Sequence, residues 1–302
     1  MNIPLTYFWP LHVSDRRVQE SVLRQFAEAG ADGVVFNPPE MNAMMGDPGE
    51  ILRWKRMLAN SGVSFRDAHA PYGPLEDLSC PVPELFPHMV LMHAHCLRLC
   101  AEFGIDCCTI HVGRPTEYCK DTNVLHANLL RALEKLLPTA EECHCVISIE
   151  NIWDSNNTAG LLLDAIERFQ SPWLGICWDS GHAQLSRSDT PDGPDQCSRA
   201  SWKNSGWPEG PAEWSDTGKY LERLLPHIVT CHLHTNDRVR DRHWEPTDPR
   251  GFTDWATEMP LLLSAPRLKQ LQNEASVKPD APVTIREHVE SLHALLAFGK
   301  AV

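Results

Sequence analysis

The chain has 302 residues, 42% of them hydrophobic and 22% charged, which suits one large globular α/β domain and excludes a disordered polyelectrolyte. Its formal net charge of −13 argues against a broad basic groove for nucleic acid. No apolar run approaches the roughly eighteen residues of a membrane span, and the opening stretch lacks the basic and small-residue features of a secretory signal.

The eleven cysteines include an adjacent pair, Cys107 and Cys108, and a second pair two apart, Cys143 and Cys145. That spacing suits reduced thiols, so a cytoplasmic protein is expected.

Short β-branched runs alternate with amphipathic helical patterns along the chain. The predicted strands are 3–8, 32–36, 63–68, 106–111, 145–150, 174–179, 227–234 and "PVTIRE" at 282–287. Between them, a helix is predicted from a Ser14 cap to Gly30, and another up to Gly104. A third places Leu125, Leu129, Leu133 and Leu136 on one face, and a fourth closes the chain. Eight β units of this kind predict a single (β/α)8 TIM barrel spanning 1–302. The first strand is not followed by the glycine-rich turn of a doubly wound sheet. Residues 184–213, rich in Ser, Pro, Gly and Asp, form a long insertion after the sixth strand. A lid or a subunit contact anchored by Trp202 and Trp207 is expected there.

Chemistry in such barrels sits at the C-terminal strand ends. Six consecutive strands run into His69, His111, Glu150, Asp179, His234 and Glu287. Neutral imidazoles and carboxylates together suit a divalent cation such as Zn²⁺ or Mn²⁺. His182, three residues past Asp179, is a further candidate. In "CHLHTNDRVRDRH" (231–243), His232 and His234 share one strand face; His234, nearer the rim, is the predicted ligand and His232 lies deeper. Asp241 and His243 follow in the loop and either complete a metal cluster or bind substrate.

"HAPY" (69–72), "IHVG" (110–113), "ISIEN" (147–151), "GICWDSGH" (175–182), "HLHTND" (232–237) and "DRH" (241–243), with Glu287, together resemble the xylose isomerase-like TIM barrels. That superfamily includes sugar-phosphate isomerases and epimerases and the AP endonuclease family 2 (endonuclease IV). The single-metal epimerases imply one Mn²⁺-like ion on Glu150, Asp179, His234 and Glu287. In that reading Glu150 and Glu287 also carry protons to and from a sugar carbon through a metal-stabilised enediolate. There His182 would hold a substrate hydroxyl; His69, Tyr72, Arg114 and Asp237 are further candidate substrate contacts. The endonuclease branch implies up to three zinc ions, adding His69, His111, His182, Asp241 and His243, and hydrolysis of abasic DNA.

The segment after "DRH", "EPTDPRGFTDW", and the acidic "NPPEMNAMMGDPGE" favour a small carbohydrate over DNA. A third reading is a metal-binding barrel subunit of a hetero-oligomeric carbohydrate-active enzyme, with a small partner or a second copy seated on the insertion. Arg114, Arg238 and Arg286 are candidates for a substrate phosphate. His93, His95, His126 and His293 fall on helical patterns and read as packing or surface residues.

Overall fold

In the computed structural model the alternating pattern folds into a closed barrel of eight parallel strands in chain order. The structure describes residues 3–154, 156–185, 220–237, 240–276 and 282–300. The strands are β1 (Leu5–Tyr7), β2 (Gly33–Phe36), β3 (Ser64–His69), β4 (Cys107–Ile110), β5 (Val146–Glu150), β6 (Leu174–Asp179), β7 (Ile228–Leu233) and β8 (Gln270–Asn273). The larger helices of the outer ring are α1 (Arg16–Ala29), α2 (Pro38–Gly46), α3 (Gly49–Ser61), α4 (Phe86–Phe103), α5 (Thr122–Cys143) and α6 (Ala159–Phe169). The short α7 (Ser180–Leu185) and α8 (Tyr220–Leu224) follow, then α9 (Trp255–Ser264) and α10 (Ile285–Leu295). The predicted insertion, including Trp202 and Trp207, lies outside the described residues apart from 184–185.

Helix boundaries follow local chemistry. The α1 cap is Asp15, one residue beyond the expected Ser14; its carboxylate accepts from the Arg17 amide. Gly30 ends the helix with φ 91°, the left-handed turn that glycine adopts at little cost. The leucine stripe of α5 is buried as its spacing requires.

One strand is misplaced by the sequence reading. Residues 282–287 do not form β8; they lead into α10, where Thr284 and Glu287 make a reciprocal capping box. β8 is instead "QLQN", which pairs with β7 and β1 and closes the barrel.

The core has two characters. Outward-facing strand residues such as Ile147, Ile149, Leu233 and Leu271 pack with the helices in a continuous apolar shell. The barrel interior is polar towards its C-terminal end: Thr230 Oγ1 donates to Asp67 at 2.9 Å, and the Thr109 and Ser148 hydroxyls lie 3.1 Å apart. These buried groups satisfy one another, and they form the floor beneath the strand ends. The described cysteines are free. No described helix is long and apolar enough to cross a membrane.

Candidate metal centre

The inward positions of six strands share a two-residue pattern. Asp67 precedes His69, Thr109 precedes His111, Ser148 precedes Glu150, Cys177 precedes Asp179, Thr230 precedes His232, and Gln272 precedes Glu274. Side chains two apart on a strand share a face, so each strand places one group in the floor and a possible ligand above it.

Register decides which histidine of β7 belongs at that level. Asp179 pairs with His232, and His232 pairs with Gln272. His232 therefore stands level with Asp179, and Glu274 comes up beside it. Its Nδ1 lies 3.2 Å from Glu150 Oε1 and 3.1 Å from Glu274 Oε2. Its Nε2 is 3.4 Å from the Thr109 hydroxyl, which holds the ring from below. Glu150, Asp179, His232 and Glu274 form one donor group, with one atom from each within 4.8 Å of the others.

Two of the expected residues thus change places. His232, expected to lie behind the site, faces into it, and His234 moves one layer up, to Asp179 Oδ2 at 3.1 Å. Glu287 is exposed on the outer ring, its carboxylate accepting from the Thr284 amide and hydroxyl at 2.7 and 2.8 Å. Its predicted place is held by Glu274. The misreading has a physical cause: a strand facing a polar interior carries Gln inward, as β8 does with Gln270 and Gln272, and so lacks the β-branched run that marks a buried strand.

The remaining predicted residues assemble around Glu150, at the centre. His111 Nε2 is 2.9 Å and His69 Nε2 3.7 Å from its Oε2, while His182 Nδ1 is 3.3 Å from Oε1. His69, His111 and Glu150 make a second donor group. A third brings together His182, His234, Asp241 and His243. There, Asp241 Oδ2 lies 2.8 Å from His243 Nε2 and 3.7 Å from His182 Nε2. His243 Nδ1 donates to the Glu274 carbonyl at 3.0 Å, so its tautomer leaves Nε2 to face Asp241. The backbone of His243 is in the left-handed region, φ 46°, a strained conformation for a non-glycine residue.

The electrostatics are those of tightly interleaved opposite charges. Burial alone would raise the Glu150 and Asp241 carboxyls, but the histidines reverse that: His232 and His111 hold Glu150 well below the ordinary range, and His243 and His182 do the same for Asp241. Burial depresses His243, yet Asp241 pushes it up to about 9. Without a cation, the carboxylates hold protons on these imidazoles. The donor set also fits a divalent cation. Ligands roughly 2.0–2.2 Å from one ion lie roughly 3–4 Å from each other, and the nitrogen–oxygen spacings here fall close to that span. Asp241 Oδ1 is buried without a hydrogen bond.

Above the donors opens a cavity of about 730 Å³. His69, Tyr72, Arg114 and His182, all expected to meet substrate, line it. Tyr72 sits 4.7 Å from the His111 ring, and Trp153, which the sequence reading missed, sits 4.9 Å from His182. Asp237 does not line it; its carboxylate accepts from Arg240 N and Arg242 Nε at 2.8 and 2.7 Å. Arg286 is exposed beside Glu287, and Arg238 is outside the described residues.

Residues 23–264 match the xylose isomerase-like TIM barrel family. The uncharacterized protein y4fM of Sinorhizobium fredii (strain NBRC 101917 / NGR234) is 24% identical over 279 residues, covering 82% of this chain and 78% of that protein. Among solved structures, a D-tagatose 3-epimerase-like protein superposes with a TM-score of 0.72 at 17% identity, covering 99% of this chain and 97% of that one. The TTHB071 protein of Thermus thermophilus, soaked with ZnCl2, gives 0.66 at 20% identity, with 99% of each chain covered.

Proposed function

This chain belongs to the xylose isomerase-like TIM barrel family, and we propose that it is a divalent-metal-dependent isomerase or epimerase of a small carbohydrate. The observation that carries this reading is the inner donor group. Glu150 and Glu274, from β5 and β8, converge on one nitrogen of His232, with Asp179 in register beside it. The similarity to a D-tagatose 3-epimerase-like protein supports the same class.

Glu150, Asp179, His232 and Glu274 would hold the ion, Mn²⁺ or Zn²⁺ by donor type. Bound there, the ion would supply Lewis acidity to the carbonyl and hydroxyl oxygens of the sugar. The two glutamates arrive from different sides of the barrel mouth. One carboxylate takes the proton from the carbon beside the carbonyl and passes it to solvent, and the other, entering from the second face and first protonated from solvent, delivers a proton to that carbon. The ionised state that the surrounding histidines impose on Glu150 and Glu274 is the one a base requires. His69, His182 and Tyr72 offer polar groups to substrate hydroxyls, and Trp153 packs on His182. A cavity of about 730 Å³ has room for a monosaccharide or its phosphate, with Arg114 the basic group at its wall.

The second and third donor groups favour one alternative, multi-metal phosphodiester hydrolysis, because Glu150 is shared between two of the groups. The charge of the cavity favours the carbohydrate. Among the described residues that line it, Glu76, Asp77, Glu150, Asp154, Asp241 and Glu274 stand against one guanidinium, Arg114. A polyanionic backbone asks for the reverse.

The test is metal analysis of the purified protein combined with two assays. Ketose epimerisation, followed by exchange of a carbon-bound proton with deuterated water, is expected to be positive and metal-dependent. Incision of abasic-site DNA is expected to be negative. Incision without any exchange across a ketose panel would refute the carbohydrate reading.

A further inference from the structure

His234 is a member of the cluster that the proposed chemistry leaves unused. Proximity makes it a candidate ligand, since it groups with His182, Asp241 and His243. Its ring geometry denies it that role. Imidazole binds a cation along the in-plane lone pair of one nitrogen, so two histidines on one ion have ring planes that meet at it. The rings of His234 and His243 are 8° from parallel with centroids 4.0 Å apart; such planes do not meet near either ring.

One nitrogen of His234 is hydrogen-bonded, and the other, Nδ1, is buried with no hydrogen-bond partner. Nε2 donates to Asp179 Oδ2 at 3.1 Å. The Nδ1–Cε1 edge abuts Gly181, where an added Cβ would come within 1.9 Å of Cε1 and 2.4 Å of Nδ1. Only glycine at 181 leaves room for this ring. The backbone is pinned as firmly: the Ser180 hydroxyl donates to the His234 carbonyl at 2.7 Å and lies 3.1 Å from the His234 amide.

We propose that His234 is a positioning residue that joins the inner and outer donor groups, rather than a ligand of either; the proposal rests on the metal-binding part of the reading above. Its Nε2–H orients Asp179 from one side, while the His182 amide donates to Asp179 Oδ1 at 2.6 Å from the other. Each carboxylate oxygen keeps a lone pair for the ion. The opposite effect of the same ring is to carry the flat face of His243. The outer group then has three protein donors, His182, Asp241 and His243, and an open position. Three donors and an opening are the arrangement of a reactive ion, and four donors that of a structural one.

The experiment titrates metal-free protein with Zn²⁺ or Mn²⁺ alone against a chromophoric chelator, and counts bound ions after gel filtration. Far-UV circular dichroism and thermal unfolding of each metal-free variant serve as controls for folding. Gln reproduces the Nε2 donor, so His234→Gln is expected to keep the number of ions with affinity within about threefold. His234→Ala is expected to keep the number but weaken the inner ion by about 10- to 100-fold, the range for groups that orient metal ligands. Gly181→Ala leaves His234 in place but displaces its ring, and is expected to cause the same weakening. Loss of one ion in His234→Gln would make His234 a ligand and overturn the proposal, as would wild-type affinity in both His234→Ala and Gly181→Ala. No substrate is involved, so failure of the carbohydrate assignment leaves this result standing, whereas a wild-type chain that binds neither ion overturns both.

Discussion

The inner and outer donor groups sit side by side but are built differently. The inner one belongs to the barrel: Glu150 and Asp179 end their strands, His232 is paired within β7, and Glu274 follows β8 directly. Strand pairing sets its geometry to within a fraction of a residue, and the hydroxyl floor fixes the His232 ring. The outer group hangs on connections. His182 lies in the short helix after β6, and Asp241 and His243 lie in the loop after β7. What holds that loop is polar: His243 donates to the Glu274 carbonyl, the Ser276 amide donates to the His243 carbonyl at 2.9 Å, and Glu245 lies 2.7 Å from His288 Nδ1 and accepts from Asn273 at 2.9 Å. A site made by sheet register is rigid from the outset. One made by a pinned loop, with a strained histidine, can be loosened without disturbing the barrel.

Mutations can test that difference. The largest effect is expected from Glu150→Gln, which touches two donor groups at once. Turnover should fall by at least about 10³-fold, in the upper part of the range for a lost acid or base, with the circular dichroism spectrum preserved; near-normal kcat would remove Glu150 from the chemistry. Next comes the pair Glu274→Gln and Glu287→Gln. The first should lower kcat by about 10²-fold or more and weaken metal binding, while the second should leave activity within about twofold. The reverse order would restore the original assignment of the eighth-strand carboxylate. Asp241→Asn separates the groups: ion counting should show loss of the outer ion and retention of the inner one, and parallel loss of both would show that the two are one unit.

A smaller effect concerns stability away from both groups. His93 is fully buried, with Nε2 donating to the Glu76 carbonyl at 2.7 Å. Burial is the main cause that lowers its pKa from 6.5 to about 4. A folded-state pKa below the unfolded one means that the neutral ring is favoured by folding. Its contribution is complete above pH 6.5 and is lost as pH falls towards 4. At about 1.4 kcal/mol per pH unit this window is worth about 3 kcal/mol. Urea unfolding at several pH values should show a flatter acid slope in His93→Gln than in wild type; parallel slopes would remove His93 as a source.

Legibility in the sequence followed the solvent that each strand face meets. β3 to β6 carry β-branched or apolar residues outward, and their inner ends, from His69 to Asp179, could be read directly. β8 could not, because Gln270, Gln272 and Asn273 look like a loop when judged by hydrophobicity. The signal that was available is the two-residue pattern, in which Gln272 and Glu274 repeat what Thr109 and His111 or Ser148 and Glu150 do. Thr284-x-x-Glu287 carried its own contrary sign, the capping box of a helix start.

Residue order alone dictates the alternation of strands and helices, hence the barrel, and the polar residues that gather at one end of it. Periodicity and chemical type are properties of the chain that survive without knowledge of its neighbours. Which of two histidines on one strand faces the ion, and which glutamate completes the inner group, emerges only once the barrel has closed. Register between strands is a relation among distant segments, and on β7 it assigns His232 and His234 to different levels of the same site.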